Sequence, residues 1–221
     1  MKNRFLVLDT ETISPVSNRN IKYAYQLAYL ICDKHGKVYT SRSVYFPEVV
    51  AIYDRSPDLY LFGDVIGHNI ADAEPVYFRD EMYRLAEYAA QCKYWAAYNI
   101  AFDKNALEQT ARFYRMKGEI KSPFIDIYGL ACKYLLSRPA YCMLANEQAW
   151  ISKAGNPRAN LECAFRYVSG KYDIVQSHEA MDDVNKAKDV LVYIFRQKKS
   201  ILPYVGKIEH QPWRQVSKAC R

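Results

Sequence analysis

The chain has 221 residues, 50% of them hydrophobic and 25% charged, with a net charge of +7. That marks an ordinary globular protein, long enough for one domain with a real core and at most a small second lobe. No apolar run reaches the ~18 residues of a membrane helix, and Met1 leads straight into a strand without a leader, so no membrane partner is expected. The positive balance suits a polyanionic partner, a modest signal because many proteins are as basic. Twenty tyrosines offer rings for the core, the surface or base stacking. The six cysteines (Cys32, Cys92, Cys132, Cys142, Cys163, Cys220) are scattered with no Cys-x-x-Cys pair. Neither a zinc site nor a disulfide framework is expected, and the reading is a reduced, cytoplasmic protein.

Residues 5–8, Phe-Leu-Val-Leu, form an unbroken apolar run that reads as a central strand buried on both faces. Residues 23–32 read as a second strand, Asp33-Lys34-His35-Gly36 as a hairpin turn, and residues 38–46 as a third strand. Between residues 47 and 75 the pattern is poor and allows only short helical pieces. Met82, Leu85, Ala86 and Ala89 recur at helical spacing, predicting an amphipathic helix over 79–91. A short strand at 94–98, a helix at 103–117 capped by Gly118, a brief strand at 124–125 and a helix at 126–136 follow. Residues 137–159 read as a long loop with room for helical turns, carrying Lys153 and Arg158, which can meet a phosphate backbone or stay solvated. Helices are expected at 160–168 and 179–197. Residues 201–221 read as a basic tail after a body of residues 1–200; the tail either touches a substrate or is a solvated end, and the solvated end is slightly favoured. Strands first, then alternating strands and helices, predict an α/β fold with a mixed sheet.

The acids carry the chemistry. Asp9 and Glu11 follow the first strand two residues apart, so both point to one side. Strand ends in such sheets are where ligands bind. Two carboxylates there repel unless a cation sits between them, and the alternative is a solvated turn. Asp103 and Asp126 each follow a short strand and read first as helix caps. In the helix beginning near residue 179, Asp183 shares a stripe with Ala187, Val190 and Ile194, whereas Asp182 shares a polar one with Lys186 and Asp189. Asp183 therefore faces inward. His178 lies just before that helix.

Asp9-x-Glu11 at a strand end, Asp103 after Asn99, and His178 five residues before Asp183 resemble the DEDDh exonucleases, the RNase T and polymerase-proofreading type. Gln26-Leu27-Ala28, the Asp-Lys-His-Gly turn and Asp126 extend the resemblance over residues 5–195. Ile13-Ser14 stands where the family often has Thr-Gly, and Tyr98 where it usually has histidine. The wider pattern is most similar to bacteriophage-encoded members. The resemblance implies a ribonuclease H-like mixed five-stranded sheet flanked by helices. It implies a 3'→5' exonuclease that releases nucleoside 5'-monophosphates. Asp9, Glu11, Asp103 and Asp183 would hold two divalent ions, Mg²⁺ or Mn²⁺, and His178 would be the general base. Thr10, Thr12, Asn99, Phe102, Lys153 and Arg158 are the expected substrate contacts. Single-stranded DNA or a frayed 3' end is the favoured partner. Alternatives are an exoribonuclease or oligoribonuclease, and a non-catalytic nucleic-acid-binding protein on the same fold. The sequence leaves the oligomeric state open, a homodimer included.

Overall fold

β1 (Arg4–Ile13) contains the apolar run, and the sheet is built outward from it in a computed structural model that describes residues 3–14, 20–53, 70–116, 122–174 and 179–220. β2 (Tyr23–Asp33) pairs antiparallel with β1, and β3 (Val38–Tyr45) pairs antiparallel with β2. β5 (Tyr94–Ala97) lies parallel on the other side of β1, followed by parallel β6 (Phe124–Asp126). With β4 (Glu74–Pro75) at the edge, the order β4-β3-β2-β1-β5-β6 gives six strands among the described residues, one more than expected. The extra strand, β4 (Glu74–Pro75), adds a two-residue parallel edge to Val44 and Tyr45, too short to leave an alternating pattern.

Alternation along β1 feeds two cores. Phe5 and Val7 join one core with Val184, Ala187, Leu191 and Ile194 of the helix Ala180–Arg196. Leu6 and Leu8 join the other with Leu85 of Phe78–Gln91 and Ala106 and Leu107 of Ile100–Phe113. In chain order the helices are α1 (Pro47–Tyr53), α2 (Phe78–Gln91), α3 (Ile100–Phe113), α4 (Ile127–Ala131), α5 (Pro139–Glu147), α6 (Leu161–Ser169), α7 (Ala180–Arg196) and α8 (Trp213–Ala219). A π-helical turn, Cys132–Leu136, continues α4. Leu85 and Ala89 of α2 are buried as expected, but Ala86 is exposed, and Phe78 and Glu81 complete the inner face instead.

Several expectations are corrected. α3 begins at Ile100, three residues before Asp103, while the expected cap Gly118 lies outside the described residues. The expected loop at 137–159 contains α5, started by Pro139 at a position where a missing N–H costs nothing. Residues 202–220 are not a solvated end. Gly206 donates its backbone N–H to Phe124 at 2.9 Å, and Val216 of α8 is buried in the α7-side core. Cys142 on α5 and Cys220 after α8 are disulfide-bonded across 78 residues, where no disulfide was expected. The pair comes together only because α8 folds back beside α5, which no local spacing encodes.

Candidate metal and substrate site

β1 aims its odd-numbered side chains toward α7, so Asp9 and Glu11 leave the strand on the side that carries Asp183. Ligand oxygens of Asp9, Glu11 and Asp183 all lie within 4.8 Å of one another. The inward phase of Asp183 holds, since Ala187, Val190 and Ile194 are buried with it. Lys186 departs from the expected polar stripe. It is 3% exposed, with Nζ 2.5 Å from Asp182 and 3.3 Å from Asp183. An ammonium can sit there because two carboxylates receive it.

Asp103 approaches from the opposite face. Its Oδ1 accepts from both the backbone N–H and the hydroxyl of Thr10, each at 2.9 Å. Asp103 is therefore no helix cap. It pins the residue between the two β1 acids, and so fixes the direction in which they point. Thr10 is buried in this role rather than presented to a ligand. Asn99 takes the cap position in a left-handed conformation, φ 68°, which asparagine tolerates better than most residues. Asp126 does cap a helix, accepting from Gly129 N at 3.2 Å. Its other oxygen accepts from Ile100 N at 3.4 Å, tying β6 to the start of α3.

The electrostatics follow from crowding. Burial, then the Asp103, Asp183 and Glu11 carboxylates, push the Asp9 carboxyl well above its ordinary range, against a smaller lowering by Lys186. Burial and then Asp183 push Glu11 up to about 7. Burial likewise pushes Asp103 up to about 7 despite the two Thr10 bonds. Acids held this way are short of positive charge. Hard, oxygen-rich donors at this spacing fit a divalent cation such as Mg²⁺ or Mn²⁺.

Asp9 and Asp183 also form one wall of a cleft of about 800 Å³. Its other walls bring in Asn99, Arg158, Tyr98, Tyr128 and Trp213. Arg158 closes a tight turn at residues 151–158, with its backbone N–H on Trp150 O at 2.8 Å. Among the other expected substrate contacts, Lys153 is exposed on that turn, Phe102 is 40% exposed on α3 and Thr12 is half-buried on β1; none of them lines the cleft. His178 lies outside the described residues. Sequence reasoning missed Trp213, Tyr128 and Lys186. A tryptophan in a tail read as solvated was the available signal for the first.

No protein-family model and no curated protein matches the sequence. Solved structures share its architecture. The zinc-bound E. coli ExoI–single-stranded DNA complex is 17% identical with a TM-score of 0.58, covering 92% of this chain and 43% of that one. The nuclease domain of 3'hExo, a DEDDh family member bound to rAMP, is 9% identical with a TM-score of 0.56, covering 88% of this chain and 92% of that one. A full-length 3'-exonuclease is 9% identical with a TM-score of 0.57, covering 96% and 88%. This chain thus spans less than half the length of the ExoI chain. At such identities the likeness speaks for the fold: the chain shares the ribonuclease H-like α/β architecture of these solved structures, a mixed sheet flanked by helices.

Proposed function

We propose that the chain is a metal-dependent 3'→5' exonuclease acting on single-stranded DNA or frayed 3' ends. The convergence of Asp9, Glu11 and Asp183 within 4.8 Å, beside a cleft large enough for a nucleotide, carries this reading. The DNA- and nucleotide-bound state of the structurally similar exonucleases supports it. Two divalent ions, when bound, supply the positive charge that stabilises both the attacking and leaving oxygens of an in-line displacement.

The chain's own residues do the rest. Asp9, Glu11 and Asp183 hold the cations, with Asp103 completing the acidic set while it anchors Thr10. Arg158 and Asn99 face the cleft, where a guanidinium and an amide can orient the nucleotide phosphate and sugar. His178, in the role that the family resemblance implies, accepts the proton of the attacking water at an imidazole nitrogen. The water oxygen bonds to phosphorus, the P–O3' bond breaks, and the leaving O3' takes a proton from solvent water, so the shortened strand ends in a 3'-hydroxyl. The product is a nucleoside 5'-monophosphate.

The test is digestion of 5'-end-labelled single-stranded DNA, duplex DNA and RNA with Mg²⁺, with Mn²⁺ and with EDTA. A ladder shortening from the 3' end, fastest on single-stranded DNA and abolished by EDTA, is expected. Binding with no monophosphate product under any condition contradicts the reading. Faster digestion of RNA would reassign the substrate.

A further inference from the structure

The C-terminal segment ends in a place the proposed chemistry does not use. Trp213 opens α8 and is 38% exposed, whereas Trp95 and Trp150 are 2% and 6% exposed. An indole left this open covers less apolar surface than it could. Its position is nonetheless fixed. Val216, one turn on, is buried in the core, the Cys142–Cys220 disulfide closes the far end of the helix, and Gln215 donates to Glu209 at 2.5 Å.

Trp213 and Tyr128 line the same cleft as Asp9 and Asp183. Tyr98 stands against Tyr128 with ring centroids 5.4 Å apart, and its hydroxyl is tied to Ala159 O at 2.7 Å. The cleft therefore offers both acids for cations and aromatic rings. A nucleotide has the matching polarity, with a charged phosphate at one end and a π-faced base at the other. Tryptophan stacks on any base, because every base has a π-face.

We infer that Trp213, carried into the cleft by the docked C-terminal segment, is the stacking platform for the base of the 3'-terminal nucleotide. The inference rests on the reading that the acid cluster handles that nucleotide's phosphate. It makes the segment after residue 201 part of the substrate site, and it makes base recognition sequence-tolerant. The docked position of α8, with the disulfide behind it, keeps the indole in place.

The test is intrinsic fluorescence of the full chain titrated with dAMP in the presence of Mn²⁺, with deoxyribose 5-phosphate as the baseless control. Trp213 is the most exposed of the three tryptophans, so quenching by dAMP should be saturable in the wild type and lost in Trp213→Phe. The sugar phosphate should leave the signal unchanged. In digestion of single-stranded DNA, Trp213→Ala should raise KM about tenfold with kcat within about twofold, and Trp213→Phe should restore most of the KM. Quenching that persists in Trp213→Phe, or equal quenching by the sugar phosphate, overturns the inference. So does an unchanged KM in Trp213→Ala. Failure of the parent reading looks different: the wild type would release no nucleotide with metal, whatever the fluorescence shows. If Trp213→Ala does not fold, the Trp213→Phe titration still decides the matter.

Discussion

Glu81 on α2 is 1% exposed and keeps its carboxylate inside a ring of donors. The Tyr29 hydroxyl donates at 2.6 Å, and Arg42 Nε lies 3.2 Å from each carboxylate oxygen. Burial and the Glu81 charge push the Tyr29 phenol upward, the mark of a hydroxyl that stays protonated to serve an anion. On the other side of the same sheet, Asp9 and Glu11 meet mainly other acids. Lys186 lowers the Asp9 carboxyl only slightly, and its ammonium is already held by Asp182 and Asp183. One buried acid is surrounded by donors, and the other group by further carboxylates. On the proposed reading, that contrast separates an acid kept for architecture from acids kept for a ligand.

Breaking the acid cluster should have the largest effect. Asp9→Asn or Asp183→Asn should cut metal-dependent nucleotide release at least about 10²-fold, the scale for losing one preorganised charge-stabilising group. Circular dichroism should show an intact fold in both. Normal turnover in either would dissolve the distinction between the two regions. Glu81→Ala should do the reverse. It should cost about 3 kcal/mol in urea denaturation, because Arg42 and Tyr29 lose a buried partner, while kcat of the folded enzyme stays near the wild-type value.

A smaller effect sharpens the comparison through pH. Glu11 ionises near 7 in the folded chain and near 4.5 when unfolded. The folded state therefore binds more protons between those values. The stability this contributes is present in full below about pH 4.5 and is lost as pH rises through 7. Metal-free protein should melt at a lower temperature at pH 8 than at pH 5. Glu11→Gln should reduce that difference and raise the pH 8 stability by about 1 kcal/mol, or about 2–4 °C, after allowance for solvent screening. A metal-free Tm that climbs from pH 5 to 8 would mean the acids are already compensated. The smallest effect belongs to Asp182→Ala. It removes one partner of Lys186 but leaves Asp183, so a loss of about 0.5 kcal/mol and near-normal activity are expected. Equal inactivation by Asp182→Ala and Asp183→Ala would contradict the assigned helix phase.

The part of this site that was legible in the sequence rests on two periods. The two-residue repeat of a strand put Asp9 and Glu11 on one side, and the helical repeat put Asp183 inward. Both periods survive folding because the flanking apolar residues must be buried. Legibility failed wherever a contact came from far along the chain. Lys186 reads as solvated by its type, and only the two neighbouring carboxylates make its burial tolerable. Asp103 reads as a cap because aspartate at a helix start usually is one, whereas Thr10, 93 residues away, is its partner here. The docking of residues 202–220, the Cys142–Cys220 pair and the presence of Trp213 in the cleft follow from where α5 and α8 pack. No local spacing announces that packing.

Calorimetric titration of the metal-free protein with Mn²⁺ at pH 8 tests the central claim most directly, with Asp9→Asn beside the wild type. Saturable binding approaching two ions per chain, weakened at least tenfold in the variant and accompanied by a rise in Tm, is the predicted result. No saturable binding, or binding that the variant leaves untouched, would show that these carboxylates gather for some other reason.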